Sequence, residues 1–281
     1  VPATPEVAVV MITMDRPERA EATVRRLLAL PDRPRIVIVD QGTRPVCPDD
    51  ADGRVTVLRP GRNLGAAGRN LGVEATDAPV VAFSDDDSWW APGSLRAAGR
   101  TLDRHPALGL LAARVVVEPG GGTDPFCRVL ADSPLPGAGP GTPILGFMAC
   151  AAVVRRRAFL DAGGFPDSMG VGGEEDRLAL DLSTRGWELR YLPHLIAHHH
   201  PLPGDGRGQR RRREVRNALW TAWQRLPAPL ALQVSAAALR GEPDRRAAWR
   251  GLLDALAGAP RALQERRVVS PAVARDRAQL L

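Results

Sequence analysis

The chain has 281 residues, 44% hydrophobic and 25% charged, an ordinary globular composition long enough to bury a sizeable core. All 38 basic residues are arginine and they outweigh 32 acids for a net charge of +6, while the three cysteines, Cys47, Cys127 and Cys150, lack the spacing of a disulfide framework or zinc site. No apolar run reaches the roughly 18 residues that span a bilayer and no signal-like segment opens the chain, so the expectation is a cytoplasmic protein.

Val7 to Thr13 reads as a continuous apolar strand, covered on both faces as in a parallel sheet. Pro17 suits the first position of a helix, and Ala20, Val24, Leu27 and Leu28 recur at helical spacing on one face. Arg35 to Asp40 and Val55 to Leu58 follow as strands, a β-α-β opening typical of an open α/β sheet, whose ligands gather at the carboxyl ends of the strands. The segment Asn63 to Gly72 has glycines in neither the dinucleotide nor the P-loop pattern, and reads as a helix packed closely on the sheet with Arg69 and Asn70 side by side. Val80 to Phe83 is then a buried strand that ends in Asp85, Asp86 and Asp87. Three adjacent carboxylates repel unless a cation or a hydrogen-bond network holds them. Mg²⁺ is typically held by one or two carboxylates plus substrate phosphates, whereas the plain alternative is a solvated acidic turn.

Pro92 to Arg104 reads as a helix and Leu108 to Val117 contains a strand. Pro119 to Pro143 is so rich in Gly and Pro that it reads as one long loop. Gly146 to Val154 returns as a strand and Arg155 to Ala162 as a short helix. A second acidic cluster, Glu174, Glu175 and Asp176, opens a helix through Leu178 and Leu182, a place where acids also complement the helix dipole. Glu188 to Leu192 is a strand, and Leu195 leads into His198, His199 and His200, which are either a metal ligand with its neighbours or a polar strand end.

The charge is uneven. Residues 1–206 carry 22 Arg against 26 acids, but residues 207–281 carry 16 Arg against 6. The chain is therefore divided into a body, 1–204, and a basic helical appendage, 205–281. The arginine face of that appendage is either solvated or set against anionic lipid headgroups, with Trp220 and Trp223 at the interface, as in a peripheral protein at the inner face of the membrane.

From Val7 to His200 these motifs, in this order, resemble a family-two glycosyltransferase of the A-type nucleotide-sugar-binding fold: a strand ending Ile12-Thr-Met-Asp-Arg-Pro17, a second ending Val39-Asp-Gln-Gly-Thr43, Asn63-Leu-Gly with Arg69-Asn-Leu-Gly72, Phe83-Ser-Asp-Asp-Asp87, Gly163-Gly-Phe165, and Glu174-Glu-Asp before a helix ending Gly186-Trp187. The resemblance implies a mainly parallel, Rossmann-like open α/β sheet with flanking helices, to which the C-terminal helices are appended. It implies transfer of a sugar from a nucleotide-diphosphate donor, such as a UDP- or dTDP-sugar, to a hydroxyl acceptor with inversion, assisted by Mg²⁺ or Mn²⁺. Thr13, Asp15 and Asp40 would surround the nucleotide base, with Arg69 on the diphosphate or base. Asp85 would face the ribose or the metal, Asp87 would grip the metal, and His198 would complete the metal or diphosphate site. Gly146 to Cys150 with Gly164 and Phe165 would line the sugar and acceptor pocket.

The second cluster would supply the base that takes the acceptor proton. The family pattern is Glu-Asp, with an Arg five residues before the helix-ending glycine; this chain has Glu-Glu-Asp, and Asp181 at the arginine position. Register from Gly186 favours Glu175 as the base, whereas the literal pair points to Asp176. Two other functions compete. A sugar-phosphate nucleotidyltransferase would need a glycine-rich loop and a phosphate-contacting lysine, and the chain has no lysine. A non-catalytic anion- or nucleic-acid-binding protein would use the clustered arginines, but an acidic body and 4% aromatic residues argue against nucleic acid as the partner.

Overall fold

The computed structural model describes residues 6–201 and 207–281. The first strand, β1 (Val7–Thr13), is buried along its whole length, because apolar residues on both sides let helices cover both faces. Helix α1 (Pro17–Leu28) buries Ala20, Val24 and Leu27 on one stripe, and β2 (Arg35–Asp40) and β3 (Val55–Leu58) continue the parallel sheet outward from β1. A 3₁₀ turn at Gly65–Ala67 runs into α2 (Gly68–Glu74). The helix lies so close to the sheet that a β-carbon on Gly72 would collide with the side chain of Val10. On the other side of β1 lies β4 (Val80–Asp85), also parallel. The chain order therefore reverses between β1 and β4, the kind of switch point where open α/β sheets form their ligand crevice.

Beyond β4 come β5 (Ser88–Trp90), α3 (Ser94–Arg104), β6 (Leu108–Val117), β7 (Gly122–Thr123), α4 (Pro125–Ala131), β8 (Thr142–Pro143), β9 (Ala152–Arg155), α5 (Arg156–Ala162), α6 (Glu174–Thr184) and β10 (Glu188–His199). The sheet runs β3-β2-β1-β4-β9-β6-β10-β5, with β7 on β6 and β8 on β10. Antiparallel β9 separates β4 from β6, and β10 returns parallel to β6. The mainly parallel open sheet expected from the sequence is thus present, with a mixed far half.

Three local expectations change. The glycine- and proline-rich stretch contains α4, because the Asp124 carboxylate accepts the Phe126 N–H at 2.9 Å, Pro125 occupies the first turn, and Cys127 and Leu130 bury one face. The strand expected from Gly146 is confined to Ala152–Arg155, preceded by a 3₁₀ turn at Ala149–Ala151. The two last strands of the body are one strand, β10, bent by an irregularity between Leu192 and Ile196.

The C-terminal helices are α7 (Arg207–Arg225), α8 (Ala228–Gly241), α9 (Arg245–Ala257), α10 (Ala259–Gln264) and α11 (Pro271–Gln279). They do not stand apart from the body. Leu135, Leu145 and Leu180 form one apolar cluster with Leu226, Leu230 and Val234, and Asp181 of α6 binds both Arg177, at 2.8 Å, and Arg225 of α7, at 2.5 Å. Asp181, which stands at the arginine position of the resemblance, is therefore an anchor for the appendage. Trp220 and Trp223 are half-buried rather than presented outward: their indole N–H groups donate to Ala255 O at 3.0 Å and Ser235 Oγ at 3.1 Å. Both indole N–H groups are thus engaged within the helical appendage, which is the packing expected of the solvated-face alternative rather than of the lipid-facing one. Among the described residues no helix is long and apolar enough to cross a membrane.

Candidate active site

The carboxyl ends of β1, β2 and β4 open into a cavity of about 670 Å³ lined by Thr13, Arg16, Gln41, Arg69, Asp85, Asp86, Asp87 and His199, among others. The three aspartates have separate surroundings. Asp86 is buried and accepts from Thr13 Oγ1 at 2.8 Å and Arg16 Nη1 at 3.3 Å, while its backbone carbonyl accepts from Thr23 Oγ1 at 2.8 Å. It holds the turn after β4 in place, and burial raises its pKa. Asp85 pairs with Arg69, whose guanidinium is fully enclosed near Phe165 and Phe83. Burial works against the Arg69 charge, but Asp85, Glu174 and Glu175 outweigh it and keep the pKa above the ordinary value. Among the described residues, Arg69 Nε and Nη1 have no hydrogen-bond partner.

Asp87 faces His199, with Nε2 3.6 Å from Oδ1. Burial and then the charge of Asp85 raise the Asp87 pKa. His198, expected to complete the metal site, points elsewhere: its Nδ1 lies 2.8 Å from Glu118 Oε1 and its ring stacks on Trp89. Successive residues of a strand project to opposite faces, so only one of the two histidines can reach the cavity. Of the two, it is His199 that lines the cavity.

Asp15 and Asp40 sit behind the cavity rather than in its lining. Asp15 accepts from Thr43 N at 2.6 Å, Thr43 Oγ1 at 2.9 Å and Arg44 N at 3.2 Å, and the Thr43 amide is the main reason its pKa is lowered. Asp40 is buried, accepts from Gly42 N and Val46 N at 3.1 Å each, and pairs with Arg59. Both shape the turn that follows Gln41. Gln41 does line the cavity and fixes the Gly65 turn, accepting from Leu64 N at 2.6 Å and donating to Gly65 O at 3.1 Å.

The opposite wall comes from Asp167 to Val171 and from α7. Gly65, at φ +59°, approaches Gly170 so closely that a β-carbon would lie 2.7 Å from Gly170 Cα. Behind this contact stand Arg210, Arg213 and Arg216, three residues apart on α7 and all in the cavity lining. Arg213 donates to Val171 O at 3.1 Å, and Arg216 donates to Met169 O at 2.8 Å with its guanidinium over Trp220. Burial and then Arg213 lower the Arg216 pKa, the signature of like charges held together. Helical spacing alone marks these arginines as one face; only the packing of α7 against the body turns that face toward the carboxylates.

The second acidic cluster divides as well. Glu174 is buried and accepts the Gly172 N–H. Burial, then repulsion from Glu175, pushes its pKa up to about 8. Glu175 is half-buried and accepts the Ala149 N–H at 3.5 Å, and its pKa is raised by its enclosure. That contact places its carboxylate on the Ala149 backbone, next to Cys150 in the chain, and Glu175 is not among the residues that line the cavity. Asp176 is exposed and approaches Gly146, on a different bearing.

Among the described residues no group of three His, Cys, Asp or Glu side chains is gathered as a metal cage. Asp87, His199 and Asp85 nonetheless share one cavity, and an oxygen and imidazole set that leaves room for substrate phosphates suits Mn²⁺ or Mg²⁺. The repulsion that raises the Asp87 pKa is of the kind a dication relieves.

Residues 8–162, more than half of the chain, match the family described as Glycosyl transferase family 2. The chain belongs to this family. A search of curated protein sequences returns no match. Solved structures with the same fold include a mannosyltransferase, PcManGT, from Pyrobaculum calidifontis in complex with GDP-Man and Mn2+ (TM-score 0.62, 19% identity, 99% of this chain and 86% of that one). Another is residues 1–349 of TarS from S. aureus (TM-score 0.59, 14% identity, 98% and 87%). A third is GalNAc-T7 with UDP, GalNAc and Mn2+ (TM-score 0.55, 15% identity), matched over 72% of this chain but only 44% of its own. At these identities the likeness concerns the fold. As a family 2 glycosyltransferase, the protein transfers a sugar from a nucleotide-sugar donor.

Proposed function

We propose that this family 2 enzyme moves a hexosyl or related sugar from a nucleoside-diphosphate sugar to an acceptor hydroxyl by one inverting displacement that depends on Mg²⁺ or Mn²⁺. The observation that carries this reading is the pairing, within one cavity, of Asp85 and Asp87 on one wall with Arg210, Arg213 and Arg216 on the other. Thr13 and Gln41 would meet the nucleoside, and the arginines of α7 would take the diphosphate together with the metal. Asp87, Asp85 and His199 would hold the ion, which as a Lewis acid offsets the charge left on the diphosphate.

Glu175 is the proposed base. Its carboxylate takes the acceptor hydroxyl proton as the acceptor oxygen bonds to the anomeric carbon and the bond from that carbon to the diphosphate oxygen breaks, releasing the nucleoside diphosphate. A raised pKa makes the ionised Glu175 a stronger proton acceptor at neutral pH. Glu174 shapes the helix start, and Arg69 orients Asp85.

A screen of UDP-, dTDP- and GDP-sugars with and without Mn²⁺, read by thermal shift and by nucleotide release, tests the proposal. One donor should raise the melting temperature only with metal and then be turned over, since a ligand that binds only the folded state stabilises it. If no nucleotide sugar shifts the melting temperature with either metal, the reading fails.

A further inference from the structure

Among the described residues, the outward face of α9 is left exposed, and its composition is specific. Trp249, Leu253 and Leu256 fall at i, i+4 and i+7, so they form one stripe, and they are 61%, 60% and 54% exposed. The opposite side of the helix, through Ala247, Ala248, Gly251 and Ala255, is buried against the appendage, where a β-carbon on Gly251 would lie 2.7 Å from Arg212 O. Arg245, Arg246 and Arg250 are exposed and flank the stripe, and with Trp249 they line a shallow groove. The carboxylates of α9 and its start lie off this face: Asp254 is held by Arg212, and the Asp244 side chain caps the first turn. Single exposed apolar residues are ordinary, but a Trp and two Leu in register, bordered by three arginines and no acid, are not.

We propose that this face of α9 docks on an anionic lipid bilayer, with Trp249, Leu253 and Leu256 entering the headgroup boundary and Arg245, Arg246 and Arg250 paired with lipid phosphates. The chemistry matches an interfacial amphipathic helix, which combines apolar area, an interfacial Trp and flanking cations. The groove between three guanidinium groups and an indole suits a phosphate beside an acyl chain. Charge complementarity selects this occupant over a second copy of the chain: a symmetric pair would place three arginines against three arginines, with no exposed carboxylate on the face to meet them. The face lies outside the residues assigned to the donor cavity, so docking and chemistry are separable.

The test is co-sedimentation of the full chain with vesicles of phosphatidylcholine alone or mixed with phosphatidylglycerol, with melting curves confirming the fold of each variant. Binding is expected only to the mixed vesicles, falling as salt rises. Leu253→Asp and Arg250→Glu should each weaken it by about tenfold or more, with nucleotide release from the donor unchanged. No binding beyond that to phosphatidylcholine overturns the proposal, as does binding that both variants retain. A concentration-dependent dimer abolished by Leu253→Asp, without vesicle binding, overturns it in favour of self-association.

Discussion

His199 Nε2 stands 3.6 Å from Asp87 Oδ1, while the preceding residue, His198, lies on the other side of β10 against Glu118. The pairing of β10 with β5 sets this choice, since His199 registers with Ser88, directly after Asp87. His199→Ala should raise the Mn²⁺ concentration needed for half-maximal stabilisation by the donor roughly 10- to 100-fold, the range seen when groups that orient a metal site are removed. His198→Ala should leave the metal titration unchanged and lower only the melting temperature.

Glu175 and Asp176 are distinguished by their bearings. Glu175→Gln should lower kcat by about 10²- to 10⁴-fold with donor binding retained. Asp176→Asn should keep most of the activity, and the reverse result would move the base to Asp176. Because the base must be ionised, activity should rise with pH through the Glu175 pKa, which burial places above the ordinary glutamate value of 4.5. The acid limb of the pH-rate profile should therefore lie higher than for an exposed glutamate.

Glu174 provides a stability test with a definite sign. Its pKa in the folded state is about 8, above the reference value of 4.5, so the folded protein holds a proton that the unfolded chain gives up between these limits. The stability this group confers is complete below about pH 4.5 and is lost as pH rises through about 8. Melting curves of the ligand-free protein across this window should decline more steeply for the wild type than for Glu174→Gln.

Asp85 and Arg69 form an ion pair that is enclosed on the arginine side. Asp85→Ala would leave the guanidinium without its counter-charge, and a loss of about 3 kcal/mol in denaturant unfolding is expected. Replacing Arg69 with Met should be tolerated better for folding, because it removes the buried charge, but should lower donor turnover by misplacing Asp85.

Gly65 has both a positive φ and a close neighbour, Gly170. Gly65→Ala should cost about 1–3 kcal/mol of stability. It should also push Gly170 away from the donor cavity, visible as a higher KM for the nucleotide sugar.

The near half of the sheet was legible because β1, β2 and β4 are short apolar runs buried on both faces, a pattern local in sequence. So was the start of α6, where acids precede a helical leucine pair. Helix α4 was obscured by its glycine- and proline-rich surroundings, although the Asp124-Pro125 cap and the Cys127 and Leu130 spacing were there to be read. Antiparallel β9, between β4 and β6, could not be placed, since its four residues carry no record of which strands they join.

The sequence by itself determined the family, the strand-end acids and the presence of a basic helical segment, all properties of residues close together in the chain. Tertiary structure decided how those acids divide their tasks. Asp86 and Glu174 are absorbed in holding the backbone, while Asp87 remains in the cavity lining, because burial and hydrogen-bond partners come from distant segments. It also decided that the arginines of α7 face the donor cavity and that Trp220 and Trp223 turn inward. Which side of an amphipathic helix meets the protein depends on what it packs against, and for α7 that partner lies more than 30 residues away in the chain, at Met169 and Val171.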